Sequence, residues 1–467
     1  NICSPLPITA NHCQSLPVTV SIEETHDDCH CEELRRVLSP RGSTMTSKTG
    51  ARALVLGGTF IAPIAQWFVF WLLERYGSVA QSGVFATLLA YSTPLFIAAG
   101  WGLRNTLITL RQRYPFALYM RIRLLLLSAA AIMLLGIGAW VRADPTMLWA
   151  VLLMKVADGV TDLLYGPLQR RQALAPYGLL MIANGAVSAL MSGLMAVLSA
   201  DPSMIVFGSS LGSTTTMALA MAALRRYRAV EPSDIEAPDP ARRLLRTSAP
   251  VAFAQILAVV LANTPTWIVT ALGERSDVGR FAAAAYILTL GSLLGSSLNS
   301  MFIGEYQSIA SRRGFYALLR RLRRATIGIG MVGAVLSVLA FFIGPFLLAS
   351  VYGRDFSFSP WFIASLTAAA ILDPGTYVLN AGLLALNAYR NQFLVVAWAL
   401  GLTLACILLC YLGDAPALWA GAAAASTANA AKIAFSALAI ARMRRNPSDR
   451  PPDRRRPRQQ TMITPDQ

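Results

Sequence analysis

The sequence predicts an all-α polytopic membrane protein, and three observations carry that expectation. Of its 467 residues, 55% are hydrophobic and only 14% are charged, against about 25% charged in soluble proteins. Apolar runs of about twenty residues, the length a helix needs to cross a bilayer, recur along the chain. The net charge of +16 falls between those runs, in alternate loops, which is a pattern of membrane topology; no nucleic-acid partner is expected.

The first 44 residues stand apart. They hold all three histidines (His12, His26, His30) and four of the six cysteines (Cys3, Cys13, Cys29, Cys31). Residue 1 is Asn and the first methionine is Met45, so residues 1–44 are expected to be a non-native or disordered leader rather than a metal or redox cluster. Twelve spans follow, at roughly 51–73, 79–101, 121–142, 146–166, 176–199, 202–224, 249–272, 280–303, 325–350, 360–388, 392–413 and 415–441. Cys406 and Cys410 fall four apart in an apolar span and read as packing residues rather than a disulfide.

Arginines orient the spans. One set of alternate loops, with the C-terminal tail, holds 28 of them and the other set only five: Arg75, Arg142, Arg275, Arg280 and Arg354. Both termini of this multi-pass protein are therefore expected in the cytoplasm. The longest internal break, 225–248, mixes Pro232, Pro238 and Pro240 with both signs of charge and reads as a cytoplasmic linker. It divides an N-terminal six-helix lobe, 45–224, from a C-terminal one, 249–441; residues 442–467 form a basic, disordered cytoplasmic tail. The halves look related. Glu74-Arg75 precedes Gly83-Val84-Phe85-Ala86, and Glu274-Arg275 precedes Gly279-Arg280-Phe281-Ala282. With six spans each and the same starting side, the repeat is parallel.

Several chemistries are excluded. None of the three lysines (Lys48, Lys155, Lys432) follows a Walker A glycine run, so the chain is no P-loop ATPase by itself. From Met45 onward there is no histidine, which removes histidine triads and histidine metal sites. The short connections on the arginine-poor side leave no room for an external catalytic domain. No enzyme activity, cofactor or metal is expected; energy must come from an ion gradient, the membrane potential or the cargo gradient.

Charges inside spans point to function, because each costs about 2.5–3.5 kcal/mol at the bilayer centre on insertion scales. Lys155, Asp158 and Asp162 share one face of the fourth helix. Two readings stand side by side: a cavity cation tuned by a carboxylate, or a Lys155–Asp158 pair that satisfies itself. Asp162 leans structural, and Arg170 and Arg171 follow at the cytoplasmic end. Asp373-Pro374-Gly375 sits near the middle of the tenth span, where a proline break would free carbonyls beside a carboxylate. It is either an ion-coupling site or a plain kink. Lys432 lies among small residues of the last span and can snorkel to the interface or reach a cavity. Arg104 ends the second span.

These stretches resemble the polysaccharide/O-antigen flippases of the multidrug, oligosaccharidyl-lipid and polysaccharide exporter superfamily. The resemblance is carried by GWGLRNTLIT (100–109), KVADGVTDLLYGPLQRR (155–171), APVAFAQILAVVLANTPTWIVTALG (249–273) and VGRFAAAAYIL (278–288). It implies two six-helix lobes around a central cavity, working by alternating access. It also implies a bacterial inner membrane, and a lipid-linked oligosaccharide on a polyprenyl pyrophosphate, flipped from the cytoplasmic to the outer leaflet for surface polysaccharide such as the O-antigen of lipopolysaccharide. A proton or sodium ion could be coupled, and other polysaccharide-assembly membrane proteins could be partners. Lys155 and Arg104 match the cationic phosphate-receiving role, with Asp158, Arg170 and Lys432 as further substrate-path residues and Asp373 as the ion-coupling one. Asp158 beside Lys155 departs from a purely cationic lining. A cation-coupled multidrug antiporter of the same fold is the main alternative, and a membrane glycosyltransferase or polymerase a more distant one.

Overall fold

The computed structural model describes residues 46–110, 114–199, 201–226, 239–353, 356, 358–386 and 388–445. The expected leader, the middle of the linker and the tail beyond 445 lie outside the described residues. Ala51–Gln467 forms one compact unit and Asn1–Gly50 another.

The described residues form thirteen α-helices and no strand. In the first half these are α1 (Thr46–Tyr76), α2 (Val79–Gly100), a short α3 (Leu103–Thr109), α4 (Phe116–Val141), α5 (Pro145–Arg170), α6 (Leu174–Leu198) and α7 (Ser203–Arg226). The second half holds α8 (Pro240–Leu272), α9 (Arg275–Arg313), α10 (Phe315–Tyr352), α11 (Pro360–Ala385), α12 (Tyr389–Leu412) and α13 (Ala417–Arg445). Eleven spans, with α2 and α3 taken together, are long and apolar enough to cross a membrane. The remaining long helix, α5, has 26 residues and would reach about 39 Å, but it carries Lys155, Asp158 and Asp162. Twelve membrane-length helices result, as the apolar runs predict. The protein is a multi-pass membrane protein with two lobes.

Local chemistry explains the ends. Ser78 and Gln81 form a capping box at the start of α2, and Glu274 and Asp277 form one at the start of α9. Each satisfies helix-end N–H groups that have no partner within the helix. The repeated segments are therefore two capped helix starts at the arginine-poor end. Asp239 caps α8, with Pro240 in its first turn, a position that suits proline because no N–H is needed there. The helix thus begins inside the stretch that reads as linker.

The two halves meet where the repeat predicts equivalence. A Cβ on Gly83 would strike the carbonyl of Arg275 and the amide of Gly279; one on Gly279 would strike the carbonyl of Val79 and the amide of Gly83. Thus α2 and α9 cross backbone to backbone, and each supplies the glycine that allows it. Phe85 and Phe281, two residues beyond the crossing, are both buried. Three further bonds between the halves lie near this end. The indole of Trp67 donates to the hydroxyl of Tyr352 at 2.8 Å, that of Trp71 donates to the carbonyl of Val351, and the hydroxyl of Tyr286 donates to the carbonyl of Gln66. Toward the other end, the indole of Trp101 donates to the carbonyl of Leu245 at 3.0 Å. One core cluster joins both halves through Phe70, Leu73, Phe281 and Phe356. The arginine-poor end is closed.

One sequence expectation is corrected. No broken helix forms at Asp373-Pro374-Gly375, because α11 runs through Pro374. The proline leaves the carbonyl of Ala370 without its helical donor, and Gly291 of α9 packs on it; Asn429 Nδ2 donates to the adjacent carbonyl of Ala369 at 2.9 Å.

Candidate functional site

Two cavities lie between the helices, and the candidate residues divide between them. The smaller, about 280 Å³, is in the first half and is lined by Arg104, Arg123, Lys155, Asp158 and Asp162. The larger, about 1040 Å³, is in the second half and holds Asp373, Lys432 and Arg390 among mostly apolar walls. Gln255 of α8 lines both.

The smaller cavity depends on a helix break. Trp101 and Gly102 both adopt positive φ, 45° and 63°, which ends α2 and restarts the chain as α3 in a new direction. Arg104 is thereby carried onto α5. Its guanidinium makes a 2.6 Å ion pair with Asp162 and donates to the hydroxyl of Tyr177 at 2.8 Å and to Gln169 Oε1 at 3.0 and 3.2 Å. The rings of Tyr165 and Tyr177 lie 5.7 and 5.5 Å from its central carbon, a cation–π arrangement. Arg123 reaches Asp162 from α4 at 3.0 Å and donates to the carbonyl of Gly159 at 2.8 Å. One carboxylate thus holds two guanidinium groups.

Lys155 differs. Its ammonium has three donors, and its hydrogen bond among the described residues is a long one, 3.4 Å to the hydroxyl of Thr93. None of the described ion pairs joins it to Asp158. The self-satisfying pair that the sequence allowed is therefore not formed, and Lys155 keeps donors for something else. Asp158 meets the side chains of Ser213 on α7 and Asn184 on α6. Its Oδ1 is buried without a hydrogen-bond partner among the described residues, as are Thr161 Oγ1, the hydroxyl of Tyr165 and Asn184 Oδ1.

In the larger cavity Lys432 does not snorkel to the helix end. It pairs with Asp373 at 2.8 Å, because small residues around it on α13, Ala428 and Ala431, let α13 lie close to its neighbours. Asp373 is 5% exposed and also accepts from the hydroxyls of Ser292 and Thr376. Its negative charge is therefore matched.

The sequence-derived candidates are thus brought together in part. Arg104, Lys155 and Asp158 share one cavity, and Asp373 and Lys432 share the other. Arg170 lines neither; it donates to the carbonyl of Leu110 at 3.4 Å. Arg123 was absent from the sequence candidates because it counts among the loop arginines. The signal was available: it sits directly before the apolar run Leu124–Leu127, inside α4 and only 3% exposed.

No protein-family model matches the chain. It is 20% identical over 303 residues to the capsular polysaccharide biosynthesis protein CapF of Staphylococcus aureus, spanning 63% of this chain and 75% of that protein. Among solved structures, an inward-facing multidrug resistance MATE family transporter of the MOP superfamily aligns with a TM-score of 0.61 at 11% identity, over 84% of this chain and 99% of the other. A mutant of the Vibrio cholerae MATE transporter VcmN aligns with a TM-score of 0.59 at 11% identity, over 85% and 96%. The fold is that of MOP superfamily transporters. A further MOP superfamily transporter, from Pyrococcus furiosus and described by a reverse polarity of its binding pocket, aligns at a TM-score of 0.57 with 13% identity, over 85% and 96%. Both cavities lie between helices, where a membrane protein can keep polar groups away from lipid.

Proposed function

We propose that the protein is a membrane transporter that flips a lipid-pyrophosphate-linked oligosaccharide from the cytoplasmic to the outer leaflet by alternating access, for surface polysaccharide biosynthesis. The observation that carries this reading is the smaller cavity: three cations, Arg104, Arg123 and Lys155, stand against two carboxylates, and Lys155 has donors in reserve. A pyrophosphate cannot enter hydrocarbon unaided, and a prearranged cation offsets part of its desolvation. Arg104 and Arg123, fixed by Asp162, form the rigid wall; Lys155 makes the contact with phosphate. A potential negative inside favours outward movement of the anion by about 2.3 kcal/mol per charge per 100 mV. The distant likeness to a capsular polysaccharide biosynthesis protein supports the cargo class. The arginine bias of the loops supports a bacterial inner membrane location with both termini inside, and the lobe boundaries 45–224 and 249–441.

The test is deletion followed by analysis of surface polysaccharide and of lipid-linked intermediates. Accumulated cytoplasmic-leaflet intermediate with loss of surface glycan is the expected result. Normal glycan together with drug hypersensitivity overturns it and favours a second reading, a cation-coupled multidrug antiporter. That reading is supported by the larger cavity, about 1040 Å³ with mostly apolar walls and one ion pair, the usual character of a drug-sized site, and by multidrug transporters among the structural neighbours.

A further inference from the structure

Every carboxylate in the two cavities except Asp158 is paired with a cation, but one acidic side chain at the closed end is not. Both carboxylate oxygens of Glu74, in the last turn of α1, are buried and have no hydrogen-bond partner among the described residues. None of the ion pairs among the described residues joins it to a cation. The hydroxyl of Ser82 lies within reach of the carboxylate and also donates to the carbonyl of Val79 at 2.8 Å; it brings no charge. The hydroxyl of Tyr352, the titratable group facing it from α10, accepts from the Trp67 indole N–H at 2.8 Å and is likewise neutral. Arg75 beside it on α1 is exposed. Arg275 at the start of α9 donates instead to the carbonyl of Val141 at 2.8 Å, and Glu274 and Asp277 are occupied as a capping box.

The location gives this orphan a consequence. Glu74 sits beside the crossing of the halves: Ser82 adjoins Gly83, a Cβ on Gly279 would touch Ser82 Oγ, and Tyr352 belongs to the second half. A carboxylate ion whose oxygens are buried with no cation beside them is costly, whereas the neutral acid is tolerated. Parting the halves at this end would admit water to Glu74 and remove the difference.

We infer that Glu74 is a proton-binding site linked to the closure of the arginine-poor end, occupied when the halves are closed there and emptied when they part. This rests on the alternating-access reading above. It moves the ion-coupling role from Asp373, already matched by Lys432, to a carboxyl at the contact itself. No bond other than the O–H of the carboxyl forms or breaks, and the proton exchanges with water on the side to which that end opens. Because protonation favours closure, low pH favours the closed end and rising pH favours parting. One linked proton changes the ratio of the two forms by at most about tenfold per pH unit.

The test uses the full-length protein in lipid nanodiscs, with its native cysteines replaced and nitroxides placed at Leu198→Cys and Leu412→Cys. Both positions are exposed, at the ends of α6 and α12 that lie on the arginine-poor side. Double electron–electron resonance across a pH series should show a longer-distance population growing with pH. Glu74→Gln, a permanent mimic of the neutral acid, should hold the short distance at every pH. Glu74→Asp should keep the pH response, which separates loss of the proton site from misfolding. An unchanged pH response in Glu74→Gln overturns the inference, and so does a wild-type protein whose two populations ignore pH; in both cases alternating access survives. One invariant distance under all pH values, also with polyprenyl pyrophosphate in the disc, overturns the transport reading as well.

Discussion

The two halves share a plan and differ in how closely their helices approach, and they hold two unlike cavities. Counted from the crossing glycines Gly83 and Gly279, Leu95 and Phe96 of α2 correspond to Gly291 and Ser292 of α9. Gly291 lets α9 lie against the backbone of α11 at Ala370, and Ser292 then reaches Asp373. In the first half α2 presents Thr93, Phe96 and Ile97 to a space whose other wall is Lys155, Asp158 and Asp162 of α5. In the second half Ser292 and Lys432 match Asp373; in the first, Asp162 takes Arg104 and Arg123 and leaves Lys155 without a carboxylate. The lesson is that the partners a membrane-embedded charge meets across the packing decide whether it becomes glue or a site.

The largest effect on stability is expected at Asp162, the shared counter-ion of Arg104 and Arg123. Asp162→Ala should lower stability on the order of 3 kcal/mol, read as a loss of thermal unfolding temperature and yield in detergent. If the variant is as stable as the parent, the rigid-wall account of the first half fails. Asp373→Ala comes next, at about 2 kcal/mol, because it strands Lys432 against apolar walls. The double variant Asp373→Ala with Lys432→Met should recover most of that loss; a purely additive double variant would break the pairing argument.

The halves should respond alike at the crossing. Gly83→Ala and Gly279→Ala should each cost about 1–3 kcal/mol through overpacking, and a clear difference between them would show that the repeat is not equivalent there. The smallest stability effect is expected for Lys155→Ala, within about 0.5 kcal/mol, while export of surface polysaccharide falls at least about tenfold with protein levels unchanged. Lys155→Arg should keep part of the export. Loss of the protein itself in Lys155→Ala would make Lys155 a structural residue.

Much of the frame was legible because membrane solvation acts on each segment locally. Twelve apolar runs and the repeated openings around Gly83 and Gly279 follow from composition and short spacing, and Cys406 and Cys410 are free thiols; the caps at Ser78 and Glu274 were seen only in the structure. The candidate site was legible only as a set of costly charges. That Lys155 and Asp158 would not pair could not be read from their spacing, since residues three apart share a face but need not bond. Lys432 was balanced between interface and cavity because its partner Asp373 is 59 residues away in sequence. Arg123 was hidden among loop arginines because its burial depends on where α4 packs.

The sequence by itself therefore determined the helix count, the arginine asymmetry of the two ends, the repeated opening of each half, and the small list of charges that had to face inward. Each follows from the local cost of placing a residue in hydrocarbon. Only the tertiary structure decided which charges cancel, which remain available, and that Glu74 stands unmatched where the halves close. Pairing energies depend on distances of a few ångströms between helices far apart in the chain, and those distances exist only once the lobes are packed.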